Sequence, residues 1–429
     1  MDRVVVIGGG FGGLATGALL SKKGKKILLI EERERLGGRA HYIEKEGFVF
    51  QYGQHSHRLG PDGYANEVMK RIDRSMTFYK INPKKAKLFY RGRLYARPAG
   101  PLGFLTTQAL GLKSRITFLR LYKAILQAEA CDWYDKSLLD FYRTFFKPNA
   151  EVEGFLNFLG FTIMLPDASL VSAGEVIDFI KRVSKAKIPV ADVAGGSKQI
   201  IDRLSETIIA HGGEIHLSEK AVRLSVKNRK IEAVYTLNGV HRPDAVVFAA
   251  PVTGLKTLLE EAFFPPATLS YMNTLKHSSG VVIDFISHTP LSDLEGGILG
   301  VDEPLWVKFQ TLFDSTVAPP GHHVCTFGLL AEWGKGDDPA VIKKTETRLR
   351  EIAEICMPGY RKKIVDERKL LIPVVNATML TPSQSRPFRP EIRFHGIENL
   401  YLAGDTVAAP GCSGDIAFAS ALMIADMID

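Results

Sequence analysis

Hydrophobic positions change period twice within the first 31 residues. Residues 4–7 are a continuous apolar run, residues 8–13 are rich in glycine, residues 14–23 place apolar side chains at helical spacing, and residues 27–30 are apolar again and lead into Glu31. A short apolar run bounded by glycine reads as a buried strand, so this order predicts a strand-helix-strand unit. Gly24 closes the helix, because glycine adopts the left-handed conformation that helix ends favour. The same signals recur downstream. Ile200, Ile201, Leu204, Ile208 and Ile209 repeat at helical spacing and are followed by Gly212-Gly213 and a strand over 215–217. Residues 222–226, 231–237 and 245–250 read as strands, with Asn238-Gly239 as a tight hairpin turn. A last strand over 399–403 runs into Gly404-Asp405, and a helix is predicted over 416–427.

Two stretches differ in character. Residues 76–190 are rich in Phe, Tyr, Leu, Lys and Arg and are predicted mostly helical; residues 256–360 mix strands such as 281–286 with an amphipathic helix over 340–355. The fold class is therefore α/β. A nucleotide-binding domain is expected from 1–75, 190–255 and 361–429, with a second, α+β domain inserted as 76–189 and 256–360 and a ligand cleft between them.

Composition agrees with that size. At 429 residues the chain has room for two or three domains. With 45% hydrophobic and 24% charged residues it resembles neither a disordered chain nor a polytopic membrane protein. The opening MDRVVVIGGG starts a strand at once, which predicts no signal peptide and a cytoplasmic location. Lys and Arg outnumber Asp and Glu by 8, a surplus compatible with an anionic surface, a nucleic acid, or no partner at all. Cys131, Cys325, Cys356 and Cys412 lie far apart without a CxxC pair, so neither a zinc cluster nor a disulfide framework is expected.

Gly8, Gly10 and Gly13 satisfy G-x-G-x-x-G between a strand and a helix. Such spacing makes a tight turn, lets backbone approach a pyrophosphate, and packs the helix on the strand. The helix N-terminus then offers unpaired N–H groups to phosphate. Glu31, 18 residues after Gly13, stands where a carboxylate accepts from both ribose hydroxyls and repels a 2′-phosphate.

Four residues separate Glu31 from Leu36-Gly37-Gly38-Arg39. This string, in register with the first turn, resembles the flavin superfamily of amine oxidases, protoporphyrinogen oxidases and phytoene desaturases. The resemblance implies a Rossmann-like FAD-binding domain of the glutathione-reductase type with an inserted α+β substrate domain, and FAD as cofactor. It assigns to FAD the first turn (Gly8, Gly10, Phe11, Gly12, Gly13), the acidic pair Glu31 and Glu32, and Gly37, Gly38 and Arg39 around the pyrophosphate. Glu46-Gly47-Phe48 with Gly53 resembles the strand leading beneath the flavin, and Gly53, Gln54 and His55 join the cofactor set; Gln51 stands where aspartate is common. Val222, whose backbone would meet the adenine, and Ala250 belong to the middle segment. Gly404 and Asp405 resemble the second fingerprint, with the aspartate on the ribityl chain. Gly414, Asp415 and Ile416 start a helix whose N–H groups would face the flavin pyrimidine. Ser420-Ala421 departs from a frequent Ser-Gly.

Three substrate branches remain open. Amine oxidases carry a lysine heading a strand of the form K-V-x-L-x-F; here Gly280 precedes the comparable strand, and Lys276 and Lys308 are out of register. The desaturase branch is favoured by Tyr52-Gly53-Gln54-His55 and Thr381-Pro382, and implies hydride transfer with an apolar, isoprenoid- or carotenoid-like substrate. Protoporphyrinogen oxidation is the third. His55, His57 and Arg58 lie where the superfamily's chain passes near the flavin and are the catalytic candidates, as proton acceptor or charge stabiliser.

On a helix over Leu112–Gln127, Leu119, Leu121, Tyr122, Ile125 and Leu126 share one arc, and Lys113, Arg120 and Lys123 another. Together with the basic run 84–97, interleaved with Phe89, Tyr90 and Tyr95, this is compatible with an anionic membrane surface through which an apolar substrate enters. A core-packed helix with a solvated basic edge has the same pattern. No nucleic-acid motif accompanies it.

Overall fold

The computed structural model describes residues 2–429 apart from residues 54, 55, 80, 99 and 333. Five strands form one parallel sheet in the order Glu214–His216, Lys26–Ile30, Arg3–Ile7, Ala245–Phe248, Leu400–Leu402. Val4 stands opposite Ile27 on one side and Ala245 on the other. Strands covered on both faces need continuous apolar runs; Val4, Val5, Val6 and Leu29 are fully buried.

The α-helices are α1 Phe11–Lys22, α2 Tyr64–Arg71, α3 Gly100–Thr106, α4 Leu112–Gln127, α5 Leu138–Phe145, α6 Ala150–Phe161, α7 Ala173–Val183, α8 Ser197–Ala210, α9 Pro266–Thr274, α10 Pro339–Cys356 and α11 Gly414–Met427. α1 is apolar all round because it packs between the parallel sheet, α8 and α11. The Asn238-Gly239 turn joins Lys230–Thr236 to Val240–His241 as expected.

A second sheet has seven strands, in the order Ile364–Asn376, Ser278–Ser287, His323–Leu330, Leu305–Lys308, Ile298–Gly300, Lys87–Tyr90, Arg93–Ala96. Three of its members depart from the sequence reading. Lys87–Tyr90 and Arg93–Ala96 form a hairpin inside the stretch predicted mostly helical; Arg91 and Gly92 both take positive φ (51° and 71°), a tight turn without the usual Asn-Gly signal. Ile364–Asn376 lies in the segment assigned to the nucleotide-binding part, yet it pairs along Ser278–Ser287 at the edge of this sheet.

α4 also differs from one of its two readings. Phe118, Leu121 and Ile125 are fully buried, and Leu119, Tyr122 and Leu126 pack against the core. The apolar arc expected at a membrane is therefore consumed by helix packing. Phe89 and Tyr90, expected on the same docking face, are core residues as well. Among the described residues no helix is long and apolar enough to cross a membrane.

Candidate flavin site

The first turn is built by three glycines with different constraints. Gly8 has φ 108°, and its N–H donates to the Ile30 carbonyl at 2.8 Å, tying the first two strands together. A Cβ on Gly13 would lie 1.9 Å from the Gly8 carbonyl oxygen, so α1 can approach the turn only with glycine there. A Cβ on Gly10 would meet nothing within 4 Å. Gly10 is also the N-cap of α1, which has no side-chain cap. An open backbone surface at an uncapped helix N-terminus is what an anionic pyrophosphate requires.

Leu36-Gly37-Gly38-Arg39 folds onto that turn. The Gly37 N–H donates to the Gly9 carbonyl at 2.8 Å, and Gly10 and Gly37 form a parallel bridge. Glu31 is buried at the end of its strand: Oε2 accepts from the Gly9 N–H at 2.6 Å and Oε1 from the Arg33 N–H at 3.0 Å. Glu32 is exposed. Val222 is skipped in the ladder between Ala221 and Arg223, so its backbone stands outside regular strand pairing while its side chain is 39% exposed. Neighbouring Glu219 donates its N–H to the Glu31 carbonyl at 2.9 Å. Its carboxylate accepts from Thr236, and His216 and His241 bond to it at 2.7 and 2.8 Å. Burial works to raise the Glu219 pKa, but these bonds prevail and bring it down to about 2.

The C-terminal strand brings the second fingerprint against the first. A Cβ on Gly12 would meet the Gly404 nitrogen at 3.0 Å. Asp405 Oδ1 pairs with Arg39 Nη2 at 2.6 Å, and Oδ2 accepts from the Ala377 N–H at 3.0 Å; Arg39 Nη1 also donates to the Val375 carbonyl. Ser420 Oγ accepts from the Gly404 N–H at 3.0 Å, and Ala421 is fully buried behind it. Ala250 follows Ala249, whose N–H donates to the Ile7 carbonyl.

At the other end of the site, α11 begins without a side-chain cap. Gly414 is half-buried, and the N–H groups of Asp415 and Ile416 donate to the Cys412 and Ser413 carbonyls. Asp415 is buried with Oδ2 unpartnered among the described residues. Burial raises its pKa to about 6 against the lowering influence of Arg58 and Arg182. Burial likewise pushes the Cys412 thiol up to about 12, which leaves it an unreactive packing residue.

Gln54 and His55 lie outside the described residues. Gly53 packs on the Arg39 carbonyl, which a Cβ there would meet at 2.6 Å. His57 is 5% exposed and packs on Phe11, with ring centroids 6.3 Å apart; Phe11 in turn contacts Phe418 at 4.8 Å. Arg58 donates to the Thr162 carbonyl at 2.9 Å. Gln51 accepts from the Ser197 N–H at 3.3 Å, so the carboxamide in place of aspartate serves the start of α8.

Lys308, out of register with the amine-oxidase pattern in the sequence, comes to this group only through the fold. Its strand runs antiparallel to His323–Leu330 and ends with its ammonium paired to Asp192, on the strand Val190–Val193 that also pairs with His57 and Arg58. Burial, then Lys308 and then Arg58, pushes the His57 pKa down to about 3. Burial and Arg58 depress Lys308 itself, and the Asp192 carboxylate opposes that shift. A small cavity lined by Gln51, Asp192, Gln310, Phe313 and Asp314 adjoins the pair.

A glycine turn open at a helix N-terminus, a carboxylate at the end of the next strand and a second fingerprint folded onto the first define a dinucleotide-binding oxidoreductase fold. Residues 11–428 match the family described as flavin containing amine oxidoreductase, and the chain belongs to that family. Its cofactor is FAD. The chain is 24% identical over 505 residues to phytoene desaturase (lycopene-forming) of Pseudescherichia vulneris, with all of both chains covered. An oxidoreductase of Methanosarcina mazei superposes with a TM-score of 0.80 at 21% identity, covering 99% of this chain and 100% of that one. A putrescine oxidase superposes with a TM-score of 0.74 at 16% identity, covering 100% and 98%.

Proposed function

We propose that this flavin-dependent oxidoreductase transfers hydride between FAD and an apolar, isoprenoid- or carotenoid-like substrate. The observation that carries the reading is the buried His57 imidazole, packed on Phe11 and held neutral by burial first and then by the positive charges of Lys308 and Arg58. An apolar wall with a neutral imidazole suits an uncharged substrate. The burial that suppresses a proton on His57, with the positive charges that add to it, also opposes a substrate ammonium. Full-length similarity to a phytoene desaturase supports the same direction.

FAD, when bound, supplies the hydride chemistry. Gly10, the N-terminus of α1 and Arg39 would hold the pyrophosphate, Glu31 the ribose and Asp405 the ribityl chain, and the start of α11 would lie at the ring's pyrimidine side. His57 orients what lies against it as a neutral hydrogen-bond partner. Burial first, then Lys308 and Arg58, keeps His57 uncharged, and the Lys308–Asp192 pair ties Lys308 to the strand that also pairs with His57.

The test is anaerobic mixing of the FAD-loaded protein with a solubilised acyclic polyene, reduced flavin being tried against the desaturated form and oxidised flavin against the saturated one. A change in flavin absorbance in one direction is expected. A second reading, amine oxidation, is favoured by buried Lys308, a residue type that a lysine-dependent flavin site needs. Rapid bleaching by putrescine, with no response to the polyene, would replace the first reading by the second.

A further inference from the structure

Four exposed large aliphatic side chains fall within residues 102–116. Leu102 is 77% exposed, more than any other large apolar side chain described, followed here by Leu112 at 68%, Ile116 at 44% and Leu105 at 41%. Leu102 and Leu105 are three apart on α3, and Leu112 and Ile116 four apart on α4, so each pair shares a helix face. The two helices are joined rigidly. Phe104 stacks on Phe118 with centroids 4.7 Å apart, and Arg115 donates to the carbonyls of Leu110 at 2.7 Å and Leu105 at 3.1 Å. Exposed leucines on a pinned scaffold are a preformed apolar knob, the kind of patch that marks a docking surface.

The charges beside the knob indicate what it docks to. Along α4 the exposed stripe continues from Leu112 and Ile116 to Arg120 and Lys123, with Lys113 next to Leu112. None of these three cations has an ion-pair partner among the described residues. A second copy of the chain seated here about a two-fold axis would set like charges against one another. An anionic bilayer accepts both parts at once, leucines below the headgroups and Lys and Arg among them.

We propose that the α3–α4 corner is the docking face for an anionic lipid bilayer, with Leu102, Leu105, Leu112 and Ile116 inserting and Lys113, Arg120 and Lys123 contacting headgroups. This surface lies opposite the arc of α4 that fills the core. The proposal does not depend on the substrate reading, because docking is measured without turnover.

The FAD-loaded protein is sedimented with phosphatidylcholine vesicles, with and without phosphatidylglycerol. Binding to the phosphatidylglycerol vesicles that weakens as salt rises is expected. Leu102→Ser with Leu105→Ser, or Lys113→Glu with Arg120→Glu and Lys123→Glu, lowers it roughly tenfold or more, whereas Lys343→Glu with Lys344→Glu on α10 leaves it unchanged. In the unaltered protein, the same vesicles slow hydrogen exchange within residues 100–117, a readout independent of how the variants fold. Failure to bind, binding unaffected by both variants, equal loss in the α10 control, or self-association abolished by the leucine changes would each overturn the proposal.

Discussion

Arg39 Nη2 stands 2.6 Å from Asp405 Oδ1, joining residues 366 positions apart. The pair links the glycine string after the second strand to the end of the last strand of the sheet. Each half is expected to serve FAD, and their contact places both at one point.

Breaking that pair separates cofactor binding from folding. Arg39→Leu is expected to weaken FAD binding roughly 100-fold, since charge-assisted hydrogen bonds are each worth about 1.5–3 kcal/mol. Asp405→Asn keeps an acceptor for the Ala377 N–H and is expected to retain the fold with lowered FAD affinity. Titration of the flavin-free protein by flavin fluorescence, with circular dichroism alongside, checks both.

The glycines of the first turn provide an internal contrast. Gly13→Ala drives a methyl into the Gly8 carbonyl oxygen, 1.9 Å away, and is expected to cost about 3 kcal/mol in urea unfolding. Gly10→Ala meets no protein atom within 4 Å and is expected to leave the urea midpoint of flavin-free protein unchanged. Its FAD affinity falls on the order of tenfold, about 1.4 kcal/mol.

Lys308 is expected to matter for rate. Lys308→Met should slow turnover roughly 100-fold, within the range of positioned polar groups, with flavin content unchanged. With its pKa held near 3, His57 contributes no limb to the rate profile between pH 5 and 8. A His57→Gln variant whose profile gains or loses a limb there would contradict this.

Asp415 makes a prediction about pH. Its carboxyl rises from 3.8 to about 6 on folding, so the folded chain binds the proton more tightly. The stability it contributes is full below pH 3.8 and is lost as pH rises through 6. Asp415→Asn should therefore gain on the order of 2 kcal/mol over the wild type above pH 7, and thermal unfolding of the two from pH 4 to 8 measures the difference.

Much of the nucleotide end was legible because its constraints are local. Gly8, Gly10, Gly13 and Glu31 act through backbone conformation and strand ends, which spacing alone encodes. The hairpin of Lys87–Tyr90 and Arg93–Ala96 was not legible, because an Arg-Gly turn carries no strong signal and basic residues alternating with aromatics fit a helix equally well. On α4, periodicity identified an apolar arc but not what covers it.

The sequence by itself determined the parallel α/β core, the two glycine fingerprints and, through them, the flavin family. Only the tertiary structure decided that Arg39 meets Asp405, that Lys308 and Asp192 come to the strand beside His57, and that around α3 and α4 the exposed apolar residues are Leu102, Leu105, Leu112 and Ile116 rather than the arc of Leu119 to Leu126. The physical reason is range. Turn geometry and strand patterning depend on neighbours a few residues away, whereas burial and charge pairing depend on which distant segments come to share a surface.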